Sequence, residues 1–355
     1  PVITYDGSFG MQRVTRTIPM MDAYEFVRLQ SEVWSAADLV GNFGYFKTLD
    51  NKTYTLEDYR NVEQYNWQDL IFRDAMQQNH SLSITGGTAG NRYNASLSYY
   101  DQDGVVLASN YNRIQGRLGT TLRRDKLNIN LSTNYSRATQ TGSSPSQSSY
   151  SGMNNLFYSV WGYRPVTQPG VDLNSLLDNT TDEGVDQTND YRFNPILSLN
   201  NEYRKNFTTY SQFNGFVEYE FIKGLKLKVS GGYTIDSRRG ENFNNSKTRY
   251  GSPISTDKVN ATLSTSERKT WLNENILTYQ TSFQKKHYIN TMIGMTMQES
   301  NYDYYSMKTI NIPYESLGMA GMGQGVSNTI KSDISEWSML SYLARFNYNY
   351  QSKYY

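Results

Sequence analysis

The sequence predicts an all-β, transmembrane antiparallel β-barrel, of which this chain supplies about ten long strands with long outer loops and one short loop helix. Three observations predict it: long runs in which apolar and polar residues alternate, connections that are short and long by turns, and a composition that is aromatic yet polar on average. The 355 residues include 31 Tyr and 14 Phe against 8 Pro, with no Cys and a mean hydropathy of -0.68. Disordered chains are poor in aromatic and β-branched residues, so a chain that is 14% aromatic should fold.

The alternation is clearest from Leu127 to Tyr135. Leu127, Ile129, Leu131, Thr133 and Tyr135 interleave with Asn128, Asn130, Ser132 and Asn134, giving one apolar face and one polar face. The preceding run repeats the pattern, with Ile114, Leu118 and Leu122 against Arg113, Gln115, Arg117, Thr121 and Arg123. Tyr93, Ala95, Leu97 and Tyr99 alternate with Asn94, Ser96 and Ser98, and Leu225, Leu227 and Val229 with Lys226, Lys228 and Ser230. In a membrane barrel the apolar set meets lipid, and Arg113, Arg117, Asn128 and Asn130 are expected to face the lumen. Tyr99, Tyr135 and Tyr348 are expected in the interfacial aromatic girdle.

Connections are an independent test, because outer-membrane barrels alternate short inner turns with long outer loops. Short links fall near 87–91, 124–126, 222–224 and 284–286, and long ones near 13–79, 138–201, 237–264 and 301–336, with a modest outer link at 103–110. Strands that fit this grammar are 2–12, 81–87, 92–102, 111–123, 127–137, 203–221, 225–236, 266–283, 287–299 and 337–350. Residues 203–221 are read as one strand, since a break at Lys205 and Asn206 would put the tight 222–224 turn on the outer side. Met21 to Ala37, with Asp22 near its start and Ala23, Phe26, Val27, Val33 and Trp34 on one face, predicts an amphipathic helix on the outer rim. The whole of 1–355 reads as part of a single barrel domain.

Other classes fit poorly. Lys and Arg total 34 and Asp and Glu 33, dispersed along the chain, so there is no basic stripe for nucleic acid. No run approaches the roughly 18 apolar residues of a membrane helix. An enzyme is not expected: the two histidines, His80 and His287, are placed at opposite ends of the barrel and cannot share a triad or a metal. The acidic loop of Asp178, Asp182, Glu183, Asp186 and Asp190 could offer oxygens to calcium, but it lacks the EF-hand order and reads as a solvated loop, so no cofactor is expected. Tyr150, Tyr158, Trp161 and Tyr163, in one of the longest outer loops, are the candidates for contact with a substrate or a lid. Deleting 143–190 is expected to spare the barrel.

One stretch resembles a known family. Trp67, Asp69, Ile71, Phe72 and Arg73 precede Asn79 and His80, the Gly86 and Gly87 turn, a Tyr-rich strand ending in Gln102 and Gly104, and then Tyr111 and Arg113. In order and spacing this resembles SusC-type (SusC/RagA) TonB-dependent outer-membrane transporters. Val2, Thr4, Tyr5 and Gly7 resemble their first barrel strand, and Ser341, Tyr342, Arg345, Asn347 and Tyr348 a mid-barrel strand. The resemblance implies import of large nutrients, oligosaccharides or peptides, across the outer membrane of a diderm bacterium. It implies a SusD-type surface lipoprotein over the outer loops and TonB acting through a plug. That plug and the C-terminal strands are expected outside this sequence, and the first and last strands are not expected to pair with each other. The alternative is a barrel that serves as a structural or assembly scaffold in an outer-membrane complex; a weaker one is a β-rich adhesin.

Overall fold

The computed structural model describes residues 1–41, 43–142, 156–178, 193–284 and 286–351. Ten strands form one antiparallel sheet in strict sequence order. They are β1 (Val2–Gln12), β2 (Ala75–Gly87), β3 (Asn91–Asp103), β4 (Asn110–Arg124), β5 (Leu127–Thr141), β6 (Glu202–Ile222), β7 (Leu225–Asn244), β8 (Asn260–Phe283), β9 (His287–Ile310) and β10 (Val326–Tyr350). β1 and β10 are the two edges, and among the described residues no ladder joins them, as expected for part of a larger barrel wall.

The inner ends fall where turn chemistry dictates. β4 and β5 are joined by Asp125 and Lys126, with Asp125 at a φ of 50°. β6 and β7 are joined by Lys223 and Gly224. Gly224 has a φ of 85°, and a Cβ there would lie 2.0 Å from the Gln280 carbonyl oxygen, so only glycine fits. β6 runs unbroken for 21 residues, as the parity of turns required.

The outer ends extend further than the alternation indicated. β2 begins at Ala75 rather than near 81, β7 continues to Asn244, β9 to Ile310, and β10 begins at Val326. At about 3.3 Å per residue, the 25 residues of β10 span about 80 Å, far more than an apolar band about 25 Å tall requires, even for a tilted strand. Much of the longer strands therefore stands above the bilayer. This moves His80: it sits midway along β2, not at an outer strand end. Its Nδ1 lies 2.7 Å from the Tyr5 hydroxyl, while His287 Nδ1 lies 2.7 Å from the Tyr348 hydroxyl. The two histidines are kept apart by the six strands between β2 and β9 rather than by opposite ends of the wall.

The expected rim helix is α1 (Ala23–Val33), with a full capping box: Glu25 N–H donates to Asp22 at 2.7 Å and Asp22 N–H donates to Glu25 at 3.2 Å. The outer loops carry further short helices. These are α2 (Ala36–Gly41), α3 (Trp67–Ile71), α4 (Leu156–Gly162), α5 (Ser175–Asp178) and α6 (Pro195–Asn201). α3 is capped by Asn66, whose side chain accepts from the Gln68 amide, and α6 by Asn194 with Pro195 in its first turn.

Candidate functional site: a polar wall beneath a packed loop cap

Residues opposite one another in a ladder share a face, so the register sorts every side chain of the sheet. Leu131 pairs with Thr120 on one side and Gly215 on the other; Ile129 pairs with Leu122 and Val217. Leu82, Leu97, Leu118, Leu131 and Phe213 lie on this apolar face, each more than half exposed. The opposite face carries Arg113, Arg117, Asn128 and Asn130 with Asn94, Ser98, Asn134 and Gln212. Its side chains bond one another across strands: Asn130 Nδ2 donates to Thr121 Oγ1 at 2.9 Å, and Arg268 lies 5.0 Å from the centre of the Tyr302 ring. Exposed apolar residues and half-buried polar ones invert the pattern of a water-soluble sheet and match a membrane wall.

The buried apolar residues lie above this wall, almost all in the outer loops. One cluster comprises Ala23, Val27, Leu39, Phe43, Tyr45, Tyr59 and Val166. A second comprises Trp67, Ile71, Val106, Val160, Tyr163, Leu176 and Leu199. Both draw on the two longest connections, 13–74 and 142–201, which therefore fold against each other. Trp67, 1% exposed, packs edge-on to Tyr163 at 5.0 Å, and its Nε1 donates to the Arg164 carbonyl at 2.9 Å. Asn194 ties α6 to α5: its Oδ1 accepts from the amides of Ile196 and Leu197, and its Nδ2 donates to the carbonyls of Leu176 and Leu177. Arg73 donates to the carbonyls of Gly104 and Ser109, each at 3.0 Å, and clamps the small outer link between β3 and β4. A third, smaller cluster of Phe243, Ala261 and Ile312 seals the outer ends of β7 and β8.

The residues that carry the family resemblance thus have structural work here. Trp67 and Ile71 are cap core, Asp69 accepts from Asn66 Nδ2 at 2.7 Å, and Phe72 bridges to Val106. Of the candidate contact aromatics, Tyr163 is buried at 2% exposure and belongs to packing, because it fills the space against Trp67. Tyr158 and Trp161 are 40% and 39% exposed and stand edge to face at 6.0 Å, with Trp161 also stacked on Phe157. Tyr150 lies outside the described residues. So do Asp182, Glu183, Asp186 and Asp190; among the described residues no cluster of His, Asp or Glu could hold a metal ion. Sequence reasoning missed Asn194 and named Arg73 only as part of the resemblance, because the roles of both depend on partners remote in the chain.

The electrostatics of the cap predict a pH response. Burial pushes Tyr163 up to about 12 and Tyr59 well above the usual tyrosine range; the Tyr59 hydroxyl donates to the Tyr45 carbonyl at 2.6 Å. A folded pKa above the unfolded value of about 10 means this stability is complete below pH ~10 and lost as pH rises toward ~12. Protease cleavage in 13–74 should therefore rise steeply over that interval, together with tyrosinate absorption, while the barrel itself stays folded. At the acid end, hydrogen bonding from Lys52, then from the Thr55 amide and hydroxyl, holds Asp58 down to about 2, so this contact persists in mild acid and is lost as pH falls through about 2.

Comparison with known proteins agrees with this architecture. No family model matches the chain. It is 25% identical over 367 residues to TonB-dependent receptor P3 of Formosa agariphila, covering 100% of this chain and 32% of that protein. It is 27% identical over 302 residues to TonB-dependent receptor P26 of the same organism, covering 81% and 28%. It is 26% identical over 137 residues to TonB-dependent receptor SusC of Bacteroides thetaiotaomicron, covering 38% and 12%. The chain spans about a third of the first of these relatives and less of the others. Among solved structures, the RagAB peptide importer in its "open-open" state superposes with a TM-score of 0.73 at 19% identity, covering 98% of this chain and 40% of that one. A further structure of the RagAB peptide transporter gives 0.72. Alternating register and turn grammar agree with these matches: the chain is similar, in sequence and in fold, to a stretch of the β-barrel wall of TonB-dependent receptors such as SusC.

Proposed function

We propose that the protein imports large nutrients, oligosaccharides or peptides, across the bacterial outer membrane, with its polar face as the wall of the solute path. The observation that carries this reading is a continuous hydrogen-bonding wall with its apolar face turned outward, topped at one end by loops that pack into an ordered cap. A wall of amide, hydroxyl and guanidinium groups can replace the hydration of a polar solute. In this reading TonB supplies the energy through a plug, and a SusD-type surface lipoprotein closes on the cap. Tyr158 and Trp161 are its anchors: they are exposed, in edge-to-face contact, and of the residue types that dominate interface energetics.

Removing 143–190 would take Val160, Tyr163 and Leu176 out of the cap core and expose Trp67, so that deletion perturbs more than a surface. The cleaner variant is Tyr158→Ser with Trp161→Ser in the full-length protein. It should leave membrane insertion intact while weakening lipoprotein co-purification by roughly tenfold, at about 1–2 kcal/mol for an anchor pair. Uptake of labelled oligosaccharides and peptides should also stop in cells lacking TonB. Uptake that continues without TonB would overturn the import reading; unchanged co-purification would overturn the anchor assignment alone.

A further inference from the structure

The register also sorts charge. On the polar face lie twelve Lys and Arg against seven Asp and Glu, an excess of five cations; on the apolar side the corresponding numbers are five and seven. The whole chain carries only +1, so the imbalance is a property of this wall and not of the composition. Part of it is compensated locally. Lys226 and Lys228 stand opposite Glu220 and Glu218, Arg204 pairs with Glu202 at 3.1 Å, and Lys308 with Asp257 at 2.6 Å. Among the described residues Arg92, Arg113, Arg117 and Arg345 make no ion pair and stand opposite no carboxylate, and Arg268 stands opposite Asp236, whose ion pair is with Arg238 at 3.0 Å.

Two of these guanidinium groups sit in an aromatic belt. Arg113 stands opposite Tyr100. Arg268 stands between Asp236 and Tyr302, and Tyr210 lies on the far side of Asp236. A guanidinium offers a planar fork that fits a carboxylate or sulfate, and a tyrosine face offers a platform for a sugar ring. Unpaired cations along a path for neutral solutes would repel one another and gain nothing, whereas rings of Arg and Lys select anions in pores.

From this wall we infer that the imported solute is an anionic oligosaccharide, its carboxylate or sulfate groups met by Arg113 and Arg268 and its rings by Tyr100 and Tyr302. The inference rests on the import reading and names its substrate class. Rings favour saccharide over acidic peptide, since the cations alternate with aromatic faces rather than with apolar pockets for side chains.

The test uses the full-length protein with matched probes: dextran, dextran sulfate, oligogalacturonate and polyglutamate. Binding by calorimetry should favour the two anionic saccharides over dextran, and should weaken as salt is raised. Arg113→Gln with Arg268→Gln should cost roughly tenfold or more for the anionic saccharides and leave dextran unchanged. Tyr302→Ala alone should weaken saccharides and spare polyglutamate. Normal membrane insertion, checked by heat-modifiable gel mobility, confirms that each variant folds. Equal binding of dextran and dextran sulfate, preference for polyglutamate, or an unchanged profile in the double Gln variant would overturn the inference. TonB-dependent uptake of dextran or a peptide would then still uphold import, so the two readings fail separately.

Discussion

Leu131→Arg is expected to destabilise the barrel in lipid by about 2–4 kcal/mol, whereas Asn130→Arg, one residue away, costs little. Leu131 lies at the middle of the apolar run Leu127 to Tyr135 and is 54% exposed on the apolar face. Its side chain also leans over Gly215: a Cβ on that glycine would meet Leu131 Cδ2 at 2.7 Å. The substitution thus puts a charge at the depth where lipid is driest and uncovers a glycine backbone. Asn130 points the other way, where its amide loses one bond to Thr121 and an arginine joins a face that already carries Arg117 and Arg113. Folding into bilayers of defined thickness, followed by reversible denaturation, gives both numbers. Equal penalties would overturn the assignment of the two faces, and a reversed order would mean that they are exchanged.

The second large effect is in the cap. Trp67→Ala should cost about 3–5 kcal/mol of cap stability, the range for a fully buried aromatic truncated to Ala. The variant opens a cavity between Ile71, Val160 and Tyr163 and removes the hydrogen bond to the Arg164 carbonyl. Because no barrel ladder passes through Trp67, membrane insertion and gel mobility should be unchanged while the outer loops become open to protease. Trp161→Ala, at 39% exposure, is the matched control and should shift cap stability by less than about 1 kcal/mol.

These contrasts show where sequence was informative. Inner strand ends were legible because Asp125, Lys126 and Gly224 give turn chemistry that few alternatives satisfy. The outer ends were not, because above the bilayer the apolar face stops being apolar: β5 runs on from Tyr135 through Arg137, Thr139 and Thr141 with every ladder bond intact. Pairing continues where periodicity has ended. α1 announced itself through Asp22 and Glu25, but α4, α5 and α6 are 4 to 7 residues long, too short to show a face, and are held by contacts across the chain. Tyr158 and Tyr163 look alike in sequence; only Trp67, some ninety positions earlier, decides that one is core and the other surface. The charge asymmetry of the wall was implicit in the alternation, yet it emerges only when register assigns each Arg to a face.

The clusters of the cap also bear on the order of assembly. Trp67 and Tyr163 are separated by four strands, β2 to β5, so bringing them together from an open chain would require closing a loop of roughly a hundred residues before any packing energy returned. Once those hairpins are zipped, each by a local turn, the same two loops stand on one rim with only the small link between β3 and β4 separating them, and the contact is short-range in space. The cap therefore forms last, and only on a correctly registered wall. A two-residue slip between β3 and β4 would preserve the faces of the sheet yet move the Gly104 and Ser109 carbonyls away from Arg73. The cap is in this sense a proofreading element: it rewards the one register that the membrane, indifferent to sliding along a strand, does not enforce.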